Sequence, residues 1–108
     1  MKSCRVVLAE RAQADIRNVH DYIAFELRLP ESASVHTGRI LDVIGRLAIF
    51  PEKHPLCQID GLKDMGLRVV PTGRYRVFYK IVEKSNVVLI VRVLYARRDV
   101  VKAFSEES

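Results

Sequence analysis

The chain lacks tryptophan altogether, has two cysteines among 108 residues, and contains no apolar run approaching the ~20 residues of a membrane span. Cys4 and Cys57 are too few for a disulfide framework. With no C-x-x-C pair or Cys/His cluster they match no metal spacing either, so two reduced thiols in a cytoplasmic protein are expected. The apolar stretch Val6-Val7-Leu8-Ala9 is cut off by Glu10, too short for the core of a secretory leader. A Gly-rich phosphate loop and the spacing of a Ser-His-Asp set are also missing, which argues against hydrolase, nucleotidase and metalloenzyme chemistry. No metal, no cofactor and no membrane contact are expected.

What is present describes one domain over residues 1–108. Half the composition is hydrophobic (49%) and 29% is charged, with five Gly and four Pro, which excludes disordered and collagen-like chains. A chain of this size buries about two-thirds of its unfolded surface, enough for one core but not for a deep substrate cavity. The formal charge of +5 is unevenly spread. Residues 1–67 are neutral, with nine basic and nine acidic side chains, whereas residues 68–102 hold nine basic side chains against Glu83 and Asp99, a net of +7. Glu106 and Glu107 return −2 in the tail.

Residues 4–8 read as a short strand. Ala12, Ile16, Val19, Ile23 and Leu27 then recur at helical spacing over about 10–28. Pro30 suits the first position of a second helix, whose face is Ala33, Thr37, Ile40, Ile44 and Leu47 and which stops at Phe50-Pro51. The two must form an antiparallel hairpin over about 10–50. Residues 51–66, punctuated by Pro51, Pro55, Gly61 and Gly66, read as a loop. The period then switches to two: Leu67–Val70, Arg74–Val82 and Val87–Arg97 read as strands joined by turns at Pro71-Thr72-Gly73 and Glu83–Asn86. The fold class is α+β, in the order β-α-α-β-β-β, with a basic meander over residues 67–98.

Alternation sends Tyr75, Val77, Tyr79 and Ile81 toward the helices and Arg74, Arg76, Phe78 and Lys80 to the other, exposed face. A three-residue loop at Pro71-Thr72-Gly73 places Arg68 opposite Arg76 and Val70 opposite Arg74. Arg92, Tyr95, Arg97 and Arg98 on the last strand extend this basic surface. Such arginines suit phosphate, because a guanidinium forms bidentate, charge-assisted hydrogen bonds and stays ionised; they suit partner carboxylates equally, and basic residues also decorate exposed strands merely to discourage edge pairing. His20, His36 and His54 lie far from this strand cluster in sequence. Tyr95, with an ordinary pKa of about 10, is a weak general base.

The string Gly73-Arg74-Tyr75-Arg76-Val77-Phe78-Tyr79, and the strand ending Val93-Leu94-Tyr95-Ala96-Arg97-Arg98-Asp99, resemble the RelE/ParE superfamily of toxins from bacterial type II toxin–antitoxin systems. Ala12-Gln13-Ala14-Asp15-Ile16, Asp21-Tyr22-Ile23-Ala24 and the Phe50-Pro51 stop fit the front of the same family. The resemblance spans about residues 5–100. It implies a growth-inhibiting, plasmid-stabilisation type of toxin, held inactive by a cognate antitoxin that binds as a helix and extended strand along apolar and basic surfaces, Phe78 included.

Two targets follow from the resemblance. RelE-like members cut mRNA on the ribosome; ParE-like members poison DNA gyrase. For a ribonuclease the resemblance implies Arg68, Arg76, Tyr95, Arg97 and Arg98 as catalytic positions, with Arg74, Phe78, Lys80 and Arg92 as a binding surface. Tyr95 stands where several ribonucleases carry His, and Phe104 stands near the C-terminus where a proton-carrying tyrosine belongs. The long helix hairpin is ParE-like. The gyrase-directed reading is therefore favoured, with the ribosome-dependent mRNA endonuclease as alternative and loss of toxicity as a third possibility.

Overall fold

A computed structural model describes residues 3–106. Its elements are β1 (Arg5–Leu8), α1 (Glu10–Asp21, continued by one wider π turn over Tyr22–Glu26), α2 (Pro30–Arg46), β2 (Arg68–Thr72), β3 (Tyr75–Val82), β4 (Val87–Tyr95) and α3 (Val100–Ser105). The expected order and the helix hairpin are present, with α3 added at the end. Pro30 opens α2, where its missing N–H and fixed φ cost nothing. No helix among the described residues is long and apolar enough to cross a membrane.

The sheet runs β1-β4-β3-β2. The meander β2-β3-β4 is antiparallel, while β1 lies parallel to β4, with Arg5 opposite Val87 and Leu8 opposite Ile90. A parallel pair needs a long crossover, and the helix hairpin is part of the chain that provides it. Pro71 sits in the edge strand β2, the one sheet position that tolerates a missing donor, and Leu56 bridges to Arg68 on that edge.

The β2–β3 turn corrects the expected register. The loop is two residues, Gly73 and Arg74, with Thr72 opposite Tyr75, because Gly73 takes the left-handed φ of +59° that such a tight turn requires. Strand β2 therefore runs on through Pro71 and Thr72. Arg68 falls opposite Tyr79 rather than Arg76, and Arg76 falls opposite Pro71.

Both faces of the sheet are covered, where the sequence suggested one. On the first, Ala12, Ile40, Ile44 and Leu47 from the helices pack on Val70, Val77, Tyr79, Val88, Ile90 and Val93. On the second, Cys57, Leu62 and Leu67 join Val100, Ala103 and Phe104 of α3 to bury Phe78 and Leu94. Phe78, expected as exposed, is 0% exposed, its ring meeting Phe104 edge-on at 5.5 Å. Double coverage explains why β3 and β4 are almost continuously apolar.

Past Ile90, β4 loses its neighbour. Strand β1 ends at Leu8, and after the Ala9 N–H has bonded the Ile90 carbonyl the edge of β4 is open. Here a bulge leaves Val91 without a partner, since Phe78 pairs Arg92 and the adjoining Tyr79 pairs Ile90. Asp15 of α1 closes the gap: its carboxylate accepts from the Val93 N–H at 2.9 Å and from Arg92 Nε and Nη2 at 2.7 and 2.9 Å. Arg92 Nη1 donates to the Ala103 carbonyl of α3 at 2.9 Å, and the guanidinium lies 5.9 Å from the Phe104 ring centre. Arg92, expected on the basic surface, is 1% exposed and holds α1, β4 and α3 together.

Removing one partner of a buried, fully hydrogen-bonded ion pair strands the other charge. Asp15→Ala is expected to destabilise the protein by about 3–5 kcal/mol, whereas an apolar pair such as Asp15→Leu with Arg92→Met recovers much of the loss. Urea unfolding of the two variants checks this.

Candidate functional site

The basic residues expected to share one surface are separated. Arg68 lies on the helix-side face at the sheet edge, where its Nη1 donates to the carbonyls of Glu52 (3.0 Å) and His54 (2.6 Å). These carbonyls are how a guanidinium is accommodated next to the core, the cost that had made this register look unfavourable from sequence. Arg76 is half-buried and donates through Nη2 to the Ala96 carbonyl, while its Nε is buried without a partner. Lys80 is half-exposed on the far half of β3. Only Arg74, Tyr95, Arg97 and Arg98 converge, at the sheet end where the β2–β3 turn meets the exit of β4.

There the Ala96 N–H bonds the Arg74 carbonyl, fixing the exit of β4 against the turn. Tyr75 and Tyr95, paired across the strands, meet edge-on at 5.9 Å. Arg98 is held by Glu106 at 2.9 Å, and Asp99 caps α3 by accepting from the Lys102 N–H at 3.1 Å. Arg74, Tyr95, Ala96 and Arg97 line a shallow pocket of about 260 Å³.

A larger groove of about 750 Å³ opens beside it, between the sheet end and the tip of the helix hairpin. Tyr22, Ile23, Leu27 and Leu29 form its helical wall and Tyr75, Val93 and Tyr95 its floor, with Arg74 and Arg98 also in the lining. Tyr22, Leu27 and Leu29 are about half exposed, and Phe25 beside them is 71% exposed. The wall takes this form because α1 widens into a π turn over Tyr22–Glu26, and Arg28 then adopts a left-handed φ of +56° to turn into α2. Sequence reasoning missed this groove. Its signal was the run Tyr22, Phe25, Leu27 and Leu29, apolar residues in excess of what one helix face can bury.

The arrangement is poorly equipped for proton transfer. Burial, reinforced by Tyr95 and partly offset by Arg74, pushes the Tyr75 phenol up. Burial drives Tyr79 further, to about 12, against the opposing pull of Arg68. His54, edge-on to Tyr79 at 6.4 Å, is pushed below its ordinary value by burial and by Lys53. It stands by the Arg68 edge, not at the groove. His36 lines the groove, but its Nδ1 is engaged by the Ser32 carbonyl at 2.8 Å. No group of three or more His, Cys, Asp or Glu suited to a metal occurs among the described residues.

The family model for the ParE toxin of type II toxin–antitoxin systems, parDE, matches residues 6–100. The chain belongs to this ParE toxin family. Among solved structures, the chromosomal ParDE toxin–antitoxin system from P. aeruginosa is similar with a TM-score of 0.73 at 15% identity, over 88% of this chain and 98% of that one. The RelBE2 toxin–antitoxin complex from Mycobacterium tuberculosis gives 0.60 at 19% identity, over 86% and 98%. E. coli toxin RelE in the free state gives 0.62 at 15% identity, over 94% and 92%. At these identities the likeness is one of fold. No curated protein sequence matches significantly.

The buried Tyr79 hydroxyl donates to the Pro51 carbonyl, fastening the loop after α2 to the sheet. Its folded pKa of about 12 lies above the unfolded value of about 10, so its contribution to stability is complete below pH 10 and is lost as the pH rises toward 12. Tyr79→Phe is expected to cost about 1–3 kcal/mol at pH 7 by leaving that carbonyl unsatisfied, and to flatten the alkaline fall in stability. Urea unfolding at pH 7 and pH 10.5 measures both.

Proposed function

We propose that this ParE-family toxin poisons DNA gyrase and is neutralised by a cognate antitoxin whose apolar segment fills the groove between the hairpin tip and the sheet end. The observation that carries the reading is the fate of the arginines. Arg68 and Arg76 are spent on backbone carbonyls and Arg92 on Asp15, so the set that a ribonuclease would aim at a scissile phosphate is dispersed into the scaffold. The phenol of Tyr75 is shifted away from the pH range where it could accept a proton. A toxin that acts by occupying a larger enzyme needs no acid–base pair. The groove suits the antitoxin because it is apolar along its walls and carries arginines, matching a segment with apolar anchors and flanking carboxylates.

In a reaction with purified gyrase and plasmid DNA, the toxin is expected to block supercoiling and to accumulate protein-linked cleaved plasmid. Leu29→Asp, which puts a charge on the apolar wall, is expected to weaken antitoxin binding by at least about thirtyfold, as for other interface anchors, while leaving the gyrase effect in place. Undisturbed supercoiling, together with codon-positioned cuts in translated mRNA, would overturn the reading in favour of the ribosome-dependent endonuclease.

A further inference from the structure

We infer that the small pocket formed by Arg74, Tyr95, Ala96 and Arg97 is a binding site for a backbone phosphate of duplex DNA, distinct from the protein-binding groove beside it. The inference rests on the gyrase reading, because a toxin working on an enzyme that holds DNA has that duplex within reach.

Charge at this sheet end is unbalanced in a specific way. The nearby carboxylates are engaged: Glu106 holds Arg98, and Asp99 caps α3. Arg74 and Arg97 are exposed and meet no carboxylate among the described residues. Behind the pocket wall, Arg76 donates to the Ala96 carbonyl, and its buried Nε adds positive charge that nothing nearby cancels. Three guanidinium groups thus bear on one shallow cavity of about 260 Å³. Ordinary solubilising arginines are spread over a surface; these are fixed by the Ala96 N–H bond to the Arg74 carbonyl, which ties the two strand ends that carry Arg74 and Arg97. Paired guanidinium forks match the oxygens of a phosphodiester, and a shallow mouth admits a phosphate on a duplex surface.

The two cavities also divide by residue. Arg97 lines only the small pocket, Leu29 only the groove, and Arg74 and Tyr95 belong to both. The DNA site and the protein site can therefore be separated by substitution.

The probe is a short fluorescein-labelled duplex, titrated with full-length toxin by anisotropy between about 50 and 200 mM salt. The wild type is expected to bind, with affinity falling steeply as salt rises. Arg74→Gln with Arg97→Gln is expected to weaken binding at least about tenfold and to reduce the salt slope by about two, one unit per phosphate contact. The Lys pair at the same positions, which keeps the charge, is expected to recover most of the affinity. Lys84→Gln with Arg46→Gln, at the far sheet end and the far end of α2, is expected to change it less than twofold. Arg97→Gln alone is expected to leave antitoxin binding intact and to diminish cleaved plasmid in the gyrase reaction, and unchanged thermal unfolding shows that each variant is folded.

Absence of duplex binding by the wild type, or equal losses from the remote pair, overturns the inference. If gyrase is poisoned equally by wild type and Arg97→Gln and no duplex binding is seen, the pocket fails and the gyrase reading stands. If gyrase is unaffected while duplex binding depends on Arg74 and Arg97, the reading fails and the pocket stands.

Discussion

The carboxylate of Asp15 is where the layers of this protein meet. It accepts two hydrogen bonds from the Arg92 guanidinium and one from the Val93 N–H, and Arg92 spends a third donor on the last helix. Each contact removes a separate problem. The open edge of β4 beyond the short β1 gains an acceptor, the bulge at Val91 is pinned, and α3 is bound to the sheet by more than its small apolar face. A six-residue helix has little stability of its own, so its place over Phe78 depends on this ion pair, on the Phe104 contact and on the Asp99 cap. The position of β4 then sets the exit through Tyr95 to Arg98, and hence both cavities.

Much of the fold was legible in the sequence because long periodic segments announce themselves. The helix faces through Ala12 and Ile40, the Pro30 start, the Phe50-Pro51 stop and the strands β3 and β4 lie close to where periodicity put them. Failures came where a single residue decides geometry. One glycine at +59° lengthened β2 and moved Arg68 to the other face, which no count of apolar residues reports. Helix α3 is too short for periodicity, although Asp99 as cap with Val100, Ala103 and Phe104 at helical spacing was a readable hint.

The candidate site was less legible than the fold. Arg92 looked like its surface neighbours because a sequence shows charge but not the partner, and its partner Asp15 is 77 residues away. Phe78 looked exposed because the face it occupies is covered by residues 57–67 and α3, segments without strong pattern. What survived was the local cluster of Arg74, Tyr95, Arg97 and Arg98, brought together by strand ends that are neighbours in the sheet. The groove depends on a π turn and a left-handed Arg28, both invisible to a period of 3.6.

The parallel pairing of β1 with β4 also governs when the molecule can exist. Residue 5 waits for residue 87, and α3 follows later still, so a growing chain holds an incomplete sheet until nearly all of it has been synthesised. A product cut short before β4 has neither groove floor nor arginine pocket. Harmful activity is thereby confined to the finished polypeptide, and prematurely terminated translation of such a gene yields fragments without its active surfaces.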